Sequence, residues 1–505
     1  MEDSSGTPEG ESASEPNRVG PSPELIVISP HGDVVLDATF QNSRDTIRSA
    51  HKAAQAKYVS KRNPPPQQPA PKARERLAFR VDMDVLKMQS KYFDKLLGDP
   101  RFKEASDIED AFAALSLRNI SAKDADVGDL PWIKIQDDDE ATSYAYRDNV
   151  FADLLRILHG QDVKTGQALI TMSYVTTLAV LADRFDCAAA VSKYMATGLK
   201  FKWPATHLRK PARDDGGSFS TMSRANENVL RQKILVSWLL NQPVKFQAAT
   251  KELIMNGSCR WSSFGGGEDE TTSATWWYLP DGLEQELQYK RSCILDTIAS
   301  VPRHFLALYA SSPSIYQCKM GFDSSLSCDT FQLGQMFKFL TRKGLLFLVD
   351  FSPSSLDTIG DTSLLPVDVL LDTLAQCPSY QIDHHHTNCG LRTRMLPILE
   401  FIKSLLSANS IPVSRTGWKT NRSAHAWMPA EYSEADDGKT SGGDDDSRPF
   451  RYTRSLAMDP RVRYENAMGA DKLARDVFTS TSWNWTAEED GLPTRSSTTP
   501  RLSFR

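Results

Sequence analysis

The stretch that most constrains the fold is residues 76–104, because its hydrophobic period changes once along its length. Apolar residues alternate with other residues over positions 77–81, which predicts a half-buried strand. From Val85 onward they recur every three or four positions, which predicts a helix that ends at Gly98. A strand followed directly by an amphipathic helix indicates α/β packing around a hydrophobic core.

Composition limits the class of protein. The 505 residues are too many for one ordinary domain, and the net charge of -5 argues against general nucleic-acid binding. Seven cysteines without a CxxC pair are typical of a reducing compartment. The acidic, polar N-terminus lacks the pattern of a secretory signal, and no apolar run is long enough to cross a bilayer. We therefore expect an intracellular protein of the cytoplasm, the nucleus or both, with no membrane association.

The domain organisation follows from shifts in composition. Residues 1–23 have almost no apolar residues to bury and are predicted to be disordered, and the tail 430–505 is predicted to be largely disordered. Two insertions, near 41–75 and 106–130, interrupt a first domain over 24–200. A linker over 201–224 leads to a mostly helical C-terminal domain over 225–429.

The insertion at 41–75 is proline-rich and locally basic, so we expect polyproline character and no core of its own. Two interpretations remain open: a nuclear-targeting or partner-binding loop, and a solvated insertion without a function. The residues Lys61, Arg62, Lys72, Arg74 and the adjoining Arg76 make it locally basic.

Helical spacing of apolar residues predicts most of the remaining elements. Pro302 should end one of the helices and Pro397 should bend or restart another. Residues 482–490 carry two tryptophans in a polar setting, which indicates either a docking segment or a tail that folds back onto the helical domain. The predicted helices cover 150–158, 175–191, 227–240, 283–298, 331–340, 367–374 and 391–406.

Four segments, taken in order, resemble the BTB/POZ domain family. Residues 32–40 are similar to its first strand, and 79–97 are similar to its second strand and the following helix. Residues 133–160 and 178–195 are similar to its later strand and helices. The resemblance covers about 24–200 and implies a small sheet flanked by helices.

The closest similarity is to BTB proteins of filamentous fungi, which carry a long helical C-terminal region. Asp82 stands where the family usually has histidine, and residues 1–23 show no counterpart of the segment that many members exchange when they dimerise. The resemblance therefore leaves open whether this chain forms a homo-oligomer.

The end of the opening stretch is the candidate partner-binding segment. Phe102, Lys103 and Glu104 are similar to the apolar-x-Glu segment through which cullin-binding BTB domains contact a cullin scaffold. An aromatic anchor beside a charged contact is a common arrangement at interfaces. The alternative is a surface turn in which Phe102 packs onto its own domain.

A separate set of residues could hold a metal ion. Cys318, Cys328, His386 and Cys389 supply the thiolate and imidazole ligands that zinc prefers, provided that their loops converge. Cys377 or His384 could replace one of them. The site would be structural, and we expect no other cofactor. The alternative is a group of buried cysteines beside a polar histidine loop.

Catalytic motifs are missing from the sequence. There is no GxSxG, no GxGxxG and no GxxxxGK[ST]. We therefore expect a non-enzymatic protein–protein interaction module, a substrate adaptor for a cullin-type ubiquitin ligase whose C-terminal domain carries an unknown client. A nuclear regulatory scaffold acting by BTB oligomerisation is the main alternative, and an enzyme in the helical domain is the third.

Overall fold

The structure, a computed structural model, consists of two compact units. Residues up to Ile170 together with Thr177–Lys200 form one unit, here called the sheet unit, and Thr171–Thr176 with the residues from Phe201 onward form the helical unit. The structure describes residues 23–59, 69–206, 222–261, 274–311, 317–318, 323–349, 364–387, 389–429, 449–460 and 469–487. Within these ranges no helix is both long enough and apolar enough to span a membrane.

The sheet unit is built on a mixed four-stranded sheet. Its strand order is β1-β3-β2-β4, with β1 parallel to β3, β3 antiparallel to β2, and β2 parallel to β4. The central strand β2 is buried along nearly its whole length. The strands are β1 Glu24–Val27, β2 Val34–Gln41, β3 Arg74–Val81 and β4 Trp132–Asp137.

The helices of the first 200 residues flank this sheet. The helix expected over 175–191 is two helices, because Asp186 adopts a left-handed conformation with φ of 44° and ends the first of them. The helices are α1 Arg44–Val59, α2 Met83–Gln89, α3 Lys91–Gly98, α4 Lys103–Leu117, α5 Arg147–Leu158, α6 Met172–Arg184 and α7 Ala188–Thr197.

Side-chain caps explain why the period changes after Val81. The Asp82 carboxylate accepts a hydrogen bond from the Val85 N–H at 3.1 Å and begins α2, and Ser90 begins α3 in the same way. The backbone N–H of Asp82 donates to Nε2 of His159 at 3.1 Å. The aspartate that departs from the BTB pattern is therefore a helix cap that also meets a histidine.

Both predicted insertions contain helices. Residues 41–75 were expected to have polyproline character and no core of their own, but 44–59 form α1, which is rich in alanine, a strong helix former. Residues 60–68, with Lys61 and Arg62, lie outside the described residues. The region 106–130 likewise contributes α4, whose Leu115 packs in one cluster with Val35 and Ala78 of the sheet. This packing covers the second face of β3, so the strand is buried on both faces at its centre rather than on one.

The acidic end of β4 has a structural role. Asp137 is buried and accepts hydrogen bonds from Nε of Arg147 and from an N–H of Arg184, each at 2.6 Å. Arg147 is only 1% exposed, and it also donates to the backbone oxygens of Gln41 and Tyr144. This buried network joins β2, β4, α5 and α6 at one end of the sheet.

The helical unit is built from ten described helices and one small parallel sheet. A single large hydrophobic cluster runs through it. The helices are α8 Arg224–Leu239, α9 Pro243–Asn256, α10 Leu283–Ala310, α11 Ser325–Arg342, α12 Val367–Leu374, α13 Leu391–Leu405, α14 Arg415–Thr420, α15 Arg422–His425, α16 Arg454–Met458 and α17 Ala470–Phe478, and the strands are β5 Pro449–Arg451 and β6 Ser482–Asn484.

The two helix-interior prolines do not end their helices. The prediction that Pro302 terminates a helix is wrong, since α10 continues through it for 28 residues in all, and α13 likewise runs unbroken through Pro397. Val301 and Phe305 on α10 are buried. Burial on both sides of the proline offsets its cost of about 3 kcal/mol.

Part of the tail that was predicted to be disordered is folded. Trp485 is 1% exposed, and its indole N–H donates to Oγ of Ser300 on α10 at 2.8 Å. Its ring also contacts Phe450 of β5, with centroids 5.5 Å apart. The tryptophan-containing segment therefore folds back onto the helical unit, because its aromatic rings supply part of the core. Residues 430–448, 461–468 and 488–505 lie outside the described residues.

The buried cations of the helical unit include Arg231 and Lys290, each of which has a carboxylate partner. Arg231 on α8 is 0% exposed and donates to Glu227 at 2.8 Å and to both oxygens of Glu284 at 2.8 Å. Lys290 on α10 is 2% exposed and lies 3.8 Å from the carboxylate of Glu286. Each cation is matched by a carboxylate on its own helix one turn away, which is the expected requirement for burying charge.

Candidate metal centre

Four side chains of the helical unit converge on one point. They are Cys318, Cys328, His386 and Cys389, and their ligand atoms all lie within 4.8 Å of one another. Cys328 projects from the first turns of α11, whereas Cys318 precedes that helix and the other two lie in the loop before α13. Three chain segments, up to 71 residues apart, are thus brought together, which is the condition that the sequence-based hypothesis of a metal site required.

Three distances within this group, here called the Cys3His cluster, are close to those of a tetrahedral site. The Sγ atoms of Cys318 and Cys389 are 3.6 Å apart, and Nδ1 of His386 is 3.3 Å and 4.0 Å from these two sulfurs. A tetrahedron with zinc–sulfur bonds of about 2.3 Å has sulfur–sulfur edges of about 3.8 Å. The ligand atoms of Cys318, His386 and Cys389 are therefore close to the spacing of three corners of a zinc site, and the sulfur of Cys328 lies within 4.8 Å of each of them.

Hydrogen bonds fix the backbone on which Cys318 is carried. The Asp329 carboxylate accepts from the N–H of Gln317 at 2.6 Å and from the N–H of Cys318 at 2.9 Å. Arg394 donates to both the side chain and the backbone oxygen of Gln317. On the opposite side of the cluster, the hydroxyl of Tyr309 donates to the backbone oxygen of Cys389 at 3.1 Å.

Polar partners on the side away from the thiols orient the imidazole of His386. Its Nδ1 faces the thiols, while its Nε2 lies 2.8 Å from Oγ of Ser324 and 3.9 Å from a carboxylate oxygen of Asp383. An outer partner of this kind fixes the tautomer that presents the other ring nitrogen to a metal. Sequence reasoning missed Ser324, Asp383 and Asp329, although each lies within four residues of a predicted ligand.

Burial shapes the protonation of the thiols. It raises the pKa of Cys389 to about 11, with Cys318 beside it as the next cause, and it also raises the pKa of Cys328 well above the ordinary thiol range. Without a cation, thiolates so close together in a buried site repel one another. A divalent cation at the centre would remove that repulsion and displace the protons.

The alternative ligands lie elsewhere. Cys377 is buried with its sulfur 3.6 Å from the sulfur of Met336, and it does not belong to the cluster. His384 is exposed, with its ring 3.7 Å from that of His385. Because four protein ligands complete a tetrahedron, the arrangement is that of a closed, structural site rather than a catalytic one with an open position.

The predicted partner-binding segment lies in the sheet unit. Phe102 is the residue before α4 and is 41% exposed, Lys103 is exposed, and Glu104 is partly exposed in the first turn. Phe102 therefore does not bury its ring in its own unit, as the alternative interpretation required. Two further apolar side chains are exposed on the preceding helices, Met88 on α2 at 75% and Tyr92 on α3 at 38%.

Comparison with known proteins gives no significant match of this chain to a protein-family model, to a curated protein or to a solved structure.

Proposed function

We propose that the chain is a non-enzymatic interaction protein whose sheet unit is a BTB/POZ-like module that binds a cullin-type scaffold. The observation that carries this proposal is the exposure of Phe102 at the start of α4, next to the partly exposed Glu104. Large aromatic side chains are frequent anchors at protein interfaces, and a neighbouring charge supplies specificity. The helical unit is then the part available to carry a client.

The helix arrangement supports this surface. α2, α3 and α4 follow one another along the chain, α3 packs on both of the others, and each of these helices or its cap presents at least one large exposed apolar side chain. The side chains are Met88, Tyr92, Phe102 and, at the last residue of α4, Leu117. A soluble unit rarely leaves several such side chains exposed on neighbouring elements without a partner.

A binding assay with purified cullin N-terminal domain tests the proposal. We expect calorimetry to detect binding by the full chain, and Phe102→Ala combined with Glu104→Ala to weaken it by about 30-fold, the effect of losing one interface anchor. Leu117→Ala is the matched control, since Leu117 lies on the same helix and is 89% exposed. Failure of the wild type to bind, or equal weakening by the control, would contradict the proposal.

We also propose that the Cys3His cluster binds one Zn²⁺ as a structural ion. Three thiols and one imidazole within 4.8 Å are a ligand set that zinc prefers, and their spacing needs little adjustment. The ion would tie the segment at Cys318 to α11 and to the start of α13. Its role would be to fix these segments, not to activate water.

Metal analysis of the purified chain tests this second proposal. We expect one zinc per chain, lost in Cys328→Ser and retained in Cys377→Ser. Cys377 is a matched control because it is a buried cysteine of the same unit that lies outside the cluster. A wild-type chain without metal after purification in zinc-supplemented, chelator-free buffer would refute the site, and loss of zinc in Cys377→Ser would assign the ligands differently.

A further inference from the structure

Two of the cluster cysteines are placed to form a disulfide. The sulfurs of Cys318 and Cys389 are 3.6 Å apart, and a disulfide needs about 2.05 Å, so an approach of about 1.5 Å suffices. Both residues lie outside helices, so rotation of their side chains can supply this movement while the backbone at Cys318 stays held by Asp329. Cys328 differs, because it is fully buried and fixed within α11.

The cysteines of the cluster differ in their exposure to an oxidant dissolved in the solvent. Cys389 is partly exposed, whereas Cys318, Cys328 and His386 are buried. A small polar oxidant arriving from solvent therefore meets the sulfur of Cys389 first. Oxidation of cysteine is governed by this exposure and by thiolate character, and a metal-bound cysteine carries thiolate character.

We propose that the Cys3His cluster is a peroxide-responsive switch in which Cys389 and Cys318 form a disulfide and the zinc ion is released. The inference rests on the proposed zinc site and adds its regulation. The neighbouring thiol turns an oxidation that would otherwise continue to irreversible acids into a reversible one.

The chemistry balances with hydrogen peroxide as the oxidant. The Cys389 sulfur attacks one peroxide oxygen, the O–O bond breaks, and hydroxide leaves, so that Cys389 becomes a sulfenic acid. The Cys318 sulfur then attacks the Cys389 sulfur, the S–S bond forms, and the S–O bond breaks with loss of a second hydroxide. Two protons from solvent convert both hydroxides to water, and the two sulfurs have supplied the two electrons.

The consequence for the metal follows from ligand number. After oxidation only Cys328 and His386 remain as ligands, and two ligands cannot retain an ion that four held. The disulfide still joins the segment at Cys318 to the start of α13, so a covalent link replaces a metal link. The helical unit is therefore expected to remain folded while it loses its zinc.

Titration of the zinc-loaded full chain with hydrogen peroxide tests the switch. We expect one zinc, detected with a chromogenic chelator, to be released for each Cys318–Cys389 disulfide found by peptide mass mapping. A thiol reductant should reverse both changes. Cys259→Ser, which alters a partly exposed cysteine outside the cluster, should behave like the wild type, and Cys389→Ser should form no disulfide with Cys318.

Zinc content before peroxide is added tests the metal site itself, whereas the response of a loaded chain tests the switch. Retention of zinc in excess peroxide, a disulfide that contains Cys328, or release by sulfinic acid formation alone would each overturn the proposal. Circular dichroism of the oxidised chain provides an independent check, since loss of helix on zinc release would contradict the replacement of a metal link by a covalent one.

Discussion

The burial of Lys290 predicts that the helical unit becomes more stable as the pH rises above neutrality. Its ammonium group donates to the backbone oxygens of Ser410, Ile411 and Pro412 at 2.9, 3.3 and 3.4 Å, and it lies 4.8 Å from the ring of Trp427. Burial is the main cause that lowers the pKa of Lys290 from 10.5 to about 8, against the opposing effect of Glu286.

The direction in which stability changes with pH follows from the number of protons that the folded and unfolded chains bind. Because the pKa of Lys290 is lower in the folded protein than in the unfolded chain, the unfolded chain binds more protons between about pH 8 and 10.5. The free energy of unfolding must therefore rise with pH through that window. From pH 7.5 to 9.5 the linkage relation gives a gain of about 2 kcal/mol.

Denaturation by guanidinium chloride, followed by tryptophan fluorescence at pH 7.5 and 9.5, measures this gain. The probe is suitable because nine of the ten tryptophans belong to the helical unit, Trp132 being the exception. Lys290→Met should remove the gain, while Lys403→Met, at a lysine that is 56% exposed, should leave it unchanged. An equal gain in Lys290→Met and in the wild type would refute the reasoning.

Three further predictions concern the folds of the two units. Arg231→Met should lower the free energy of unfolding of the helical unit by about 3–5 kcal/mol, since the buried carboxylate of Glu227 loses its cation. Denaturation followed by fluorescence measures this free energy, and a change below about 1 kcal/mol would contradict the prediction. Trp485→Ala should cost about 3–5 kcal/mol in the same assay, and a neutral effect would show that the tail is not part of the core. Burial lowers the pKa of His159, whose Nε2 accepts a hydrogen bond from the Asp82 N–H. Below the unfolded-state histidine pKa of about 6.5, the free energy of unfolding of the sheet unit should therefore fall by up to about 1.4 kcal/mol per pH unit. Hydrogen exchange of β2 and β3 should show this loss in the wild type and not in His159→Gln.

The extent to which the sequence predicted the fold depends on how local the determining interactions are. The strand before Asp82 and the start of the helical pattern after it were predictable because their period and caps lie within a few residues of each other. The single helix expected up to Gly98 is instead two helices, α2 and α3, divided at the extended residue Ser90. Helix α12 was predicted with its observed bounds for the same reason. The mixed four-stranded sheet and the many helices confirm the predicted architecture at that level, whereas membership of the BTB family stays a prediction.

The errors arose where distant contacts outweigh local preference. Pro302 ends an isolated helix, but packing along α10 keeps that helix continuous. The polar composition around Trp485 indicates disorder until the ring is seen to be buried against α10. The bridging of Arg231 to Glu284, 53 residues away, has no sequence pattern at all.

The Cys3His cluster was predictable from the sequence only in part. The residue types were recognisable from the sequence, because cysteine and histidine are uncommon and chemically specific. Their convergence was not, because no short motif joins Cys318 to Cys389. The residues that support the cluster, such as Asp329, were missed since an aspartate beside a cysteine carries no pattern of its own.

The burial of Trp485 in the core of the helical unit has a consequence for folding during synthesis. The sheet unit is complete once Lys200 has left the ribosome, but the helical unit lacks a part of its core until residue 487 has followed, about 290 residues later. At about 5–20 residues per second this interval is roughly 15–60 s. During that time the nascent helical unit exposes the apolar surface that Trp485 will cover, and such a surface is a natural target for chaperones. The sheet unit, which is synthesised first, is already free to fold.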